Sequence, residues 1–207
     1  VANGTGGSAA SGTVSDFDVD NAANTFLAVT NGATINHHGT FSIDASGHWT
    51  YNVDDNDSAV QALNVGGTLS DSFTIHTADG TAQTITVTIN GANDAAVVTG
   101  ASSGSVTESG GALFSGTPSA NGQLDDTDVD NTSHFFQAVS NATPSDHGYG
   151  SYTIDASGNW SFTLNNSLTA IQQLNDGDVI TETFTVHTLD GTAQEISITI
   201  NGHNELY

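Results

Sequence analysis

The acidic side chains are where this sequence could do chemistry. The stretch DDTDVDN, residues 125–131, sets four aspartates within six positions, and DFDVDN at 16–21 repeats its second half almost letter for letter. Carboxylates grouped this way are hard oxygen donors, suited to a hard cation such as Ca²⁺ and not to metals that prefer nitrogen or sulfur. The chain has 23 acidic residues and no Lys or Arg, for a formal charge of −23. No Asp or Glu can therefore be neutralised by Lys or Arg, and relief must come from cations in solution.

The same imbalance excludes whole classes of partner. Nucleic acid, anionic lipid and phosphate ligands are recognised largely through Lys and Arg, which are missing here. The absence of cysteine removes disulfides, thiolate metal sites and thiol nucleophiles. No run approaches the length of a membrane span, and no charged region followed by an apolar one marks a signal peptide, so an export signal would lie elsewhere in a longer chain. A hydrophobic content of 36%, with aromatics at regular places, argues for folded domains over disorder.

The elements that must carry the acids come in two copies. FSIDASGHWTYNV from Phe41 returns as YTIDASGNWSFTL from Tyr152, and LSDSFTIHTADGTAQTITVTINGAND from Leu69 returns as ITETFTVHTLDGTAQEISITINGHNE from Ile180. Trp49 and Trp160 are 111 residues apart, whereas Asp18 and Asp128 are 110 apart, which places a one-residue insertion between Asn141 and Gly150. The domains are read as 1–92 and 93–207, with 203–207 beginning a further linker. The second copy has a front segment, AAVVTGASSGSVTESGG from Ala95, whose counterpart would precede Val1, so the first copy reads as truncated at its N-terminal strand.

Each copy is patterned as β structure. Phe41 and Ile43, Trp49, Tyr51 and Val53, Phe73 and Ile75, and Ile85, Val87 and Ile89 alternate with polar residues at the period of half-buried strands. DASG and the DGT sequences mark hairpin turns, where local hydrogen bonding accounts for Asp44, Asp79, Asp155 and Asp190. DSAVQAL and SLTAIQQL predict short helical turns. The expectation is all-β: two tandem immunoglobulin- or cadherin-like β-sandwiches.

Each hairpin reverses direction, so counting back from the last strand assigns every loop to one end of its sandwich. DFDVDN and DDTDVDN fall at the N-terminal pole, with DASG and the DGT turns, whereas Asp71 and Glu108 fall at the opposite pole. A junction between repeats is then expected to collect Asn93, Asp94, Asp126, Asp128, Asp130 and Asp71, about six oxygen donors that suit Ca²⁺. Asp16, Asp18 and Asp20 are the matching acids of the first copy.

GAND, SVTE, DxDVDN, IDASGxWxY and the long FTxHTxDGTAQ run together resemble the VCBS-type, cadherin-like extender repeats of large bacterial RTX adhesins, over almost the whole chain. The resemblance implies a secreted, surface-displayed stalk, extracellular and non-catalytic, stiffened by Ca²⁺. Its partners would be neighbouring repeats of the same chain, and its state monomeric. It also implies that Glu108 acts as a base glutamate, that Asp128 and Asp130 form a DxD pair and that Asn93 and Asp94 are linker acids. Glu182 stands in place of Asp71 and Glu205 in place of Asp94, so an outgoing junction need not match the incoming one.

Other readings fit less well. An EF-hand starting at Asp126 would put Asn131 where glycine belongs and Gln137 where the bidentate Glu belongs. His76 and His187 alternate out of phase with the core, and no zinc spacing occurs. Trp49 and Trp160 hold core positions in the strand pattern. No nucleophile elbow occurs, and lysine-dependent isopeptide crosslinks are impossible. A carbohydrate- or peptide-binding module remains the alternative, with the segment around Tyr149 as its candidate surface.

Overall fold

The computed structural model describes residues 9–19, 24–109 and 118–204. These form two compact units, Val1–Asp94 and Ala95–Tyr207. In the first, β1 (Ala9–Thr13), β2 (Val29–Ala33), β3 (Gly39–Ile43) and β4 (His48–Val53) make one sheet in the order β1-β4-β3-β2, and β5 (Thr68–His76) pairs with β6 (Ala82–Asn90). The inward residues Phe41, Ile43, Tyr51, Val53, Phe73, Ile75, Val87 and Ile89 are those the alternation picks out, and they close a single core. Phe73 sits at its centre, stacked on Phe41 with ring centroids 4.3 Å apart and edge-on to Trp49 at 5.6 Å.

The second unit has the same plan with two additional strands. The additions are β7 (Val97–Gly100) and β8 (Ser103–Thr107); β7 extends the sheet of β9 (Ser119–Thr127, the counterpart of β1), β10 (Val139–Pro144), β11 (Gly150–Ile154) and β12 (Asn159–Leu164), in the order β10-β11-β12-β9-β7. β8 lies parallel to β14 (Ala193–Asn201), which pairs with β13 (Val179–His187). Phe184 takes the place of Phe73, with Tyr152 stacked at 4.3 Å. The two predicted helical turns are α1 (Ser58–Gln61), capped by the Asp57 carboxylate on Ala59 N, and α2 (Thr169–Gln172). His76 and His187 face outward, as their phase predicts.

The strand count is right within each domain. Phe136 bridges Thr188 and donates its N–H to Ala156 O, while Leu124 N–H reaches Gly158 O, so the DASG turn, the DGT turn and the end of β9 share one pole. Phe26, Thr77, Ala45, Val14 and Gly47 repeat the arrangement. Gly47 and Gly158 are at φ +82° and +81°, and a Cβ there would lie 2.2 Å from Val14 O or 2.3 Å from Leu124 O, so only glycine closes this turn.

The inserted residue lies inside β10. Val29 and Gly32 of β2 oppose Ile43 and Phe41, whereas Val139 and Thr143 oppose Ile154 and Tyr152, so the second copy absorbs one more residue in its bulge.

Candidate metal centre

Asp126 is the acid the second domain treats least kindly. On β9 it is in phase with Ala120 and Leu124, which point into the core, and it is only 4% exposed. Its backbone N–H donates to Asp125 Oδ1 at 3.0 Å, while its own buried Oδ1 has no hydrogen-bond partner. Burial pushes the carboxyl above the usual range, and the charges of Asp125, Asp128 and Asp190 push it further against an opposing pull from His134. A buried carboxylate oxygen facing other acids and lacking a donor is a place where a cation would be stabilised.

The residues around it are arranged by local bonds. Asp128 Oδ1 accepts the N–H groups of Asp130 at 3.1 Å and Asn131 at 3.2 Å, which folds the DVDN loop. Asp190 is fixed in the DGT turn by Thr188 Oγ1–H, by Thr192 N–H at 3.1 Å and by Thr192 Oγ1–H at 2.8 Å, and Ala96 N–H reaches its Oδ2 at 3.3 Å. Asp190 is the participant that sequence reading missed. Its turn explains the residue so well that its second role, facing Asp126 across the pole, is visible only once the strand ends meet. Among the described residues no three acidic or histidine side chains converge into a ready cage. The set Asp126, Asp128, Asp130 and Asp190 is a cluster of donors at one pole that includes the orphaned Oδ1 of Asp126, which fits a hard cation there.

The first domain carries a plainer version. Asp16 is half-buried, Asp18 N–H donates to Asn24 Oδ1 at 3.0 Å, and Ser15 replaces Asp125. Asp20 and Glu205 lie outside the described residues. Asn93 Nδ2 donates to the backbone oxygen of Asp94 at 2.7 Å. Glu108 is buried at the opposite end of the second domain, where its N–H meets Asn201 O at 2.9 Å and its carboxylate accepts His203 N–H at 3.2 Å and Gln172 Nε2 at 3.3 Å.

Asp71 and Glu182 correct the expected ligand set. Asp71 is fully buried, and five donors occupy its carboxylate: Thr34 Oγ1 at 2.6 Å, Tyr51 OH at 3.0 Å, and the N–H groups of Ser72, Asn36 and His38 at 2.8, 3.1 and 3.1 Å. Glu182 repeats this with Ser145 Oγ at 2.8 Å and the N–H groups of Tyr149, His147 and Thr183 at 2.8, 2.9 and 2.9 Å, and adds the His147 ring Nδ1 at 3.0 Å. Burial alone would raise both carboxyls, but these donors outweigh it and hold both below their usual values. They are internal anchors for the loops ahead of β3 and β11, with their oxygens already used. Tyr149 belongs to the same assembly. It packs against the core and stacks on His147 at 5.9 Å, so it does not stand out as a ligand platform.

Comparison with known proteins places this architecture. Solved structures with similar folds include PcdhgB3 EC1-4 (15% identity, 100% of this chain and 47% of that one, TM-score 0.43) and mouse Protocadherin-24 EC1-3 (18%, 86% and 58%, 0.36). Another is a Ca²⁺-stabilized adhesin that helps an Antarctic bacterium reach out and bind ice (19%, 97% and 44%, 0.31). The chain spans about half the length of these structures. No curated protein matches it. The family model described as a bacterial cadherin-like domain matches twice, over residues 1–91 and 93–202, and the chain belongs to that family as two tandem repeats.

Proposed function

We propose that this chain is a stalk segment of a surface-displayed bacterial adhesin and that Ca²⁺ bound at the Asp126 pole stiffens the array of repeats. The observation that carries the reading is Asp126 itself, a buried carboxylate whose Oδ1 lacks a donor and whose neighbours Asp125, Asp128 and Asp190 share its charge. Membership in a family of tandem cadherin-like repeats, with no Lys or Arg to serve the acids, supports the same role. Asp126, Asp128, Asp130 and Asp190 are the residues that would hold the ion. Asn93 and Asp94 enter as completing donors on the strength of the strand count alone. The segment would work outside the cell as a monomer, with neighbouring repeats as its partners and no chemistry of its own.

Calorimetric titration of the whole chain with CaCl₂ tests the site. Saturable binding that falls at least tenfold in Asp126→Asn is expected, and equal binding by the two proteins would remove the site. Small-angle scattering in Ca²⁺ and in EDTA tests the stiffening separately, and superimposable profiles would end that part of the reading.

A further inference from the structure

Beyond the cation site, the second domain carries a feature of its own on β10. Val139 pairs with Ile154 and Thr143 with Tyr152, which leaves Ser140, Asn141 and Ala142 facing the single residue Thr153. All three are exposed, and β10 is the outer strand of its sheet, so this bulge stands clear of the ladder. Its middle residue opens the tripeptide Asn141-Ala142-Thr143, an Asn-x-Thr sequence of the kind that accepts sugar on its side-chain nitrogen. The first domain, one residue shorter here, has Asn31-Gly32-Ala33 and no hydroxyl.

The chain has six Asn-x-Ser/Thr sequences, and the structure separates them. Asn3 lies outside the described residues. Asn131 is half-buried beside the acids, and its Oδ1 takes Ser133 N–H at 3.3 Å. Asn159 Nδ2 donates to Asp155 Oδ2 at 2.9 Å, and the next residue is the buried Trp160. Asn165 Oδ1 accepts Ser167 Oγ–H at 2.7 Å and Ser167 N–H at 3.3 Å. Asn56 Nδ2 reaches Asp54 Oδ1 at 3.4 Å, and its middle residue is Asp57, already committed to capping α1. Asn141 differs from all of these. Among the described residues its side chain makes no hydrogen bond, and Thr143 Oγ1–H folds back onto Asn141 O at 3.1 Å. The amide and the hydroxyl that a sugar-transferring enzyme must read together are thus already side by side.

We propose that Asn141 is an N-glycosylation site, taking sugar from a donor that carries it on a diphosphate. In the transfer, Asn141 Nδ2 bonds to the anomeric carbon of the sugar and the bond from that carbon to the diphosphate oxygen breaks. The diphosphate leaves with the electron pair, and the amide proton passes to a base of the transferase. The product is a neutral, hydrated group at the place where the edge strand departs from its ladder. An exposed strand edge invites pairing with the edge of another chain, and a bulky sugar on its bulge blocks that approach. Asn141 is not among the residues assigned to the cation, so the two readings stand or fall separately.

The test incubates the folded 207-residue chain with UDP-glucose and a soluble bacterial N-glucosyltransferase that reads Asn-x-Ser/Thr, followed by intact mass and peptide mapping. One hexose, on Asn141, is expected. Thr143→Ala, a small change on an edge strand, should abolish the modification, and Thr143→Ser should retain it. Short synthetic peptides around Asn131 and Asn165 should be modified although the same residues in the folded chain are not, which makes the fold the selector. A parallel arm supplies a lipid-linked oligosaccharide and a membrane oligosaccharyltransferase. Oligosaccharide on Asn141 in that arm, with the UDP-glucose arm blank, upholds the site and assigns its sugar to a lipid carrier. A folded chain that stays unmodified in both arms, or that takes sugar as readily on Asn131 or Asn165 as on Asn141, overturns the proposal.

Discussion

The two domains share a core pattern, but the described residues enclose it unequally. Leu124, Trp160 and Ile196 are buried in the second, whereas Val14, Trp49 and Ile85, at the same places in the first, are only partly so. The second has β7 and its following turn lying across these residues, and the first has none among the described residues. Even secondary structure follows the partner: residues 124–127 are strand and pair with β7, while their counterparts 14–17 are not strand. Burial at these positions thus follows the strand that lies across them, β7 in the second domain.

The comparison yields mutations that can break it. Trp160→Ala should destabilise the second domain by about 4 kcal/mol, and Trp49→Ala the first by about 2 kcal/mol, since the cost of truncating a large core side chain tracks how enclosed it is. Calorimetry resolving the two unfolding transitions measures both, and equal losses would mean that β7 adds no enclosure at this position. Next in size, Asp71→Ala and Glu182→Ala should each cost about 3 kcal/mol by leaving several buried donors unpaired. Here the domains should agree, because both anchors are saturated alike.

Asp126 and Asp16 separate the domains again. In EDTA, Asp126→Asn should raise the second domain's melting temperature by relieving a buried charge, while Asp16→Asn should leave the first nearly unchanged. In Ca²⁺ at ten to a hundred times its Kd, the wild-type second domain should gain about 1–3 kcal/mol, a gain that Asp126→Asn abolishes. Melting curves in the two buffers distinguish these outcomes.

The smallest effects are in pH. Asp71 and Glu182 have carboxyls held below their unfolded values, so their stabilisation is complete above those values and is lost as pH falls through the folded ones, in the region below about pH 4. Asp126 has the opposite sign. Its carboxyl is raised in the fold, so ionising it costs stability, and acidification through the raised folded value toward the unfolded one, above about pH 4, returns a little. Denaturant titrations from pH 7 to pH 3 should show Asp71→Asn losing the acid-dependent part of the first domain's stability.

Much of this was legible in the sequence. Repeat spacing and hairpin parity located both poles correctly, and the alternation of Phe73, Ile75, Val87 and Ile89 named the core. Parity, however, assigns a residue to an end of a strand and says nothing about depth. Asp71 was counted toward a pole, yet it alternates in phase with Phe73 and Ile75, and Glu182 with Phe184 and Val186, so the same pattern that found the core also marked these acids as inward. Asp126 shares its phase with Leu124 in the same way. What periodicity could not supply was the identity of the donors, because the loops that wrap Asp71 and Glu182 come from more than thirty residues away. Asp190 was hidden for another reason: one carboxylate both closes a turn and lends its field to Asp126.

The manner in which Asp71 is held has an environmental consequence. Its five partners are hydroxyl and amide groups without formal charge, so dissolved salt has no opposing ion to screen away from it. Salt acts instead on the uncompensated negative surface, where it weakens self-repulsion. A fold that anchors Asp71 with neutral donors and carries no Lys or Arg on its exterior is one that brine firms up, where a protein built on ion pairs would be loosened.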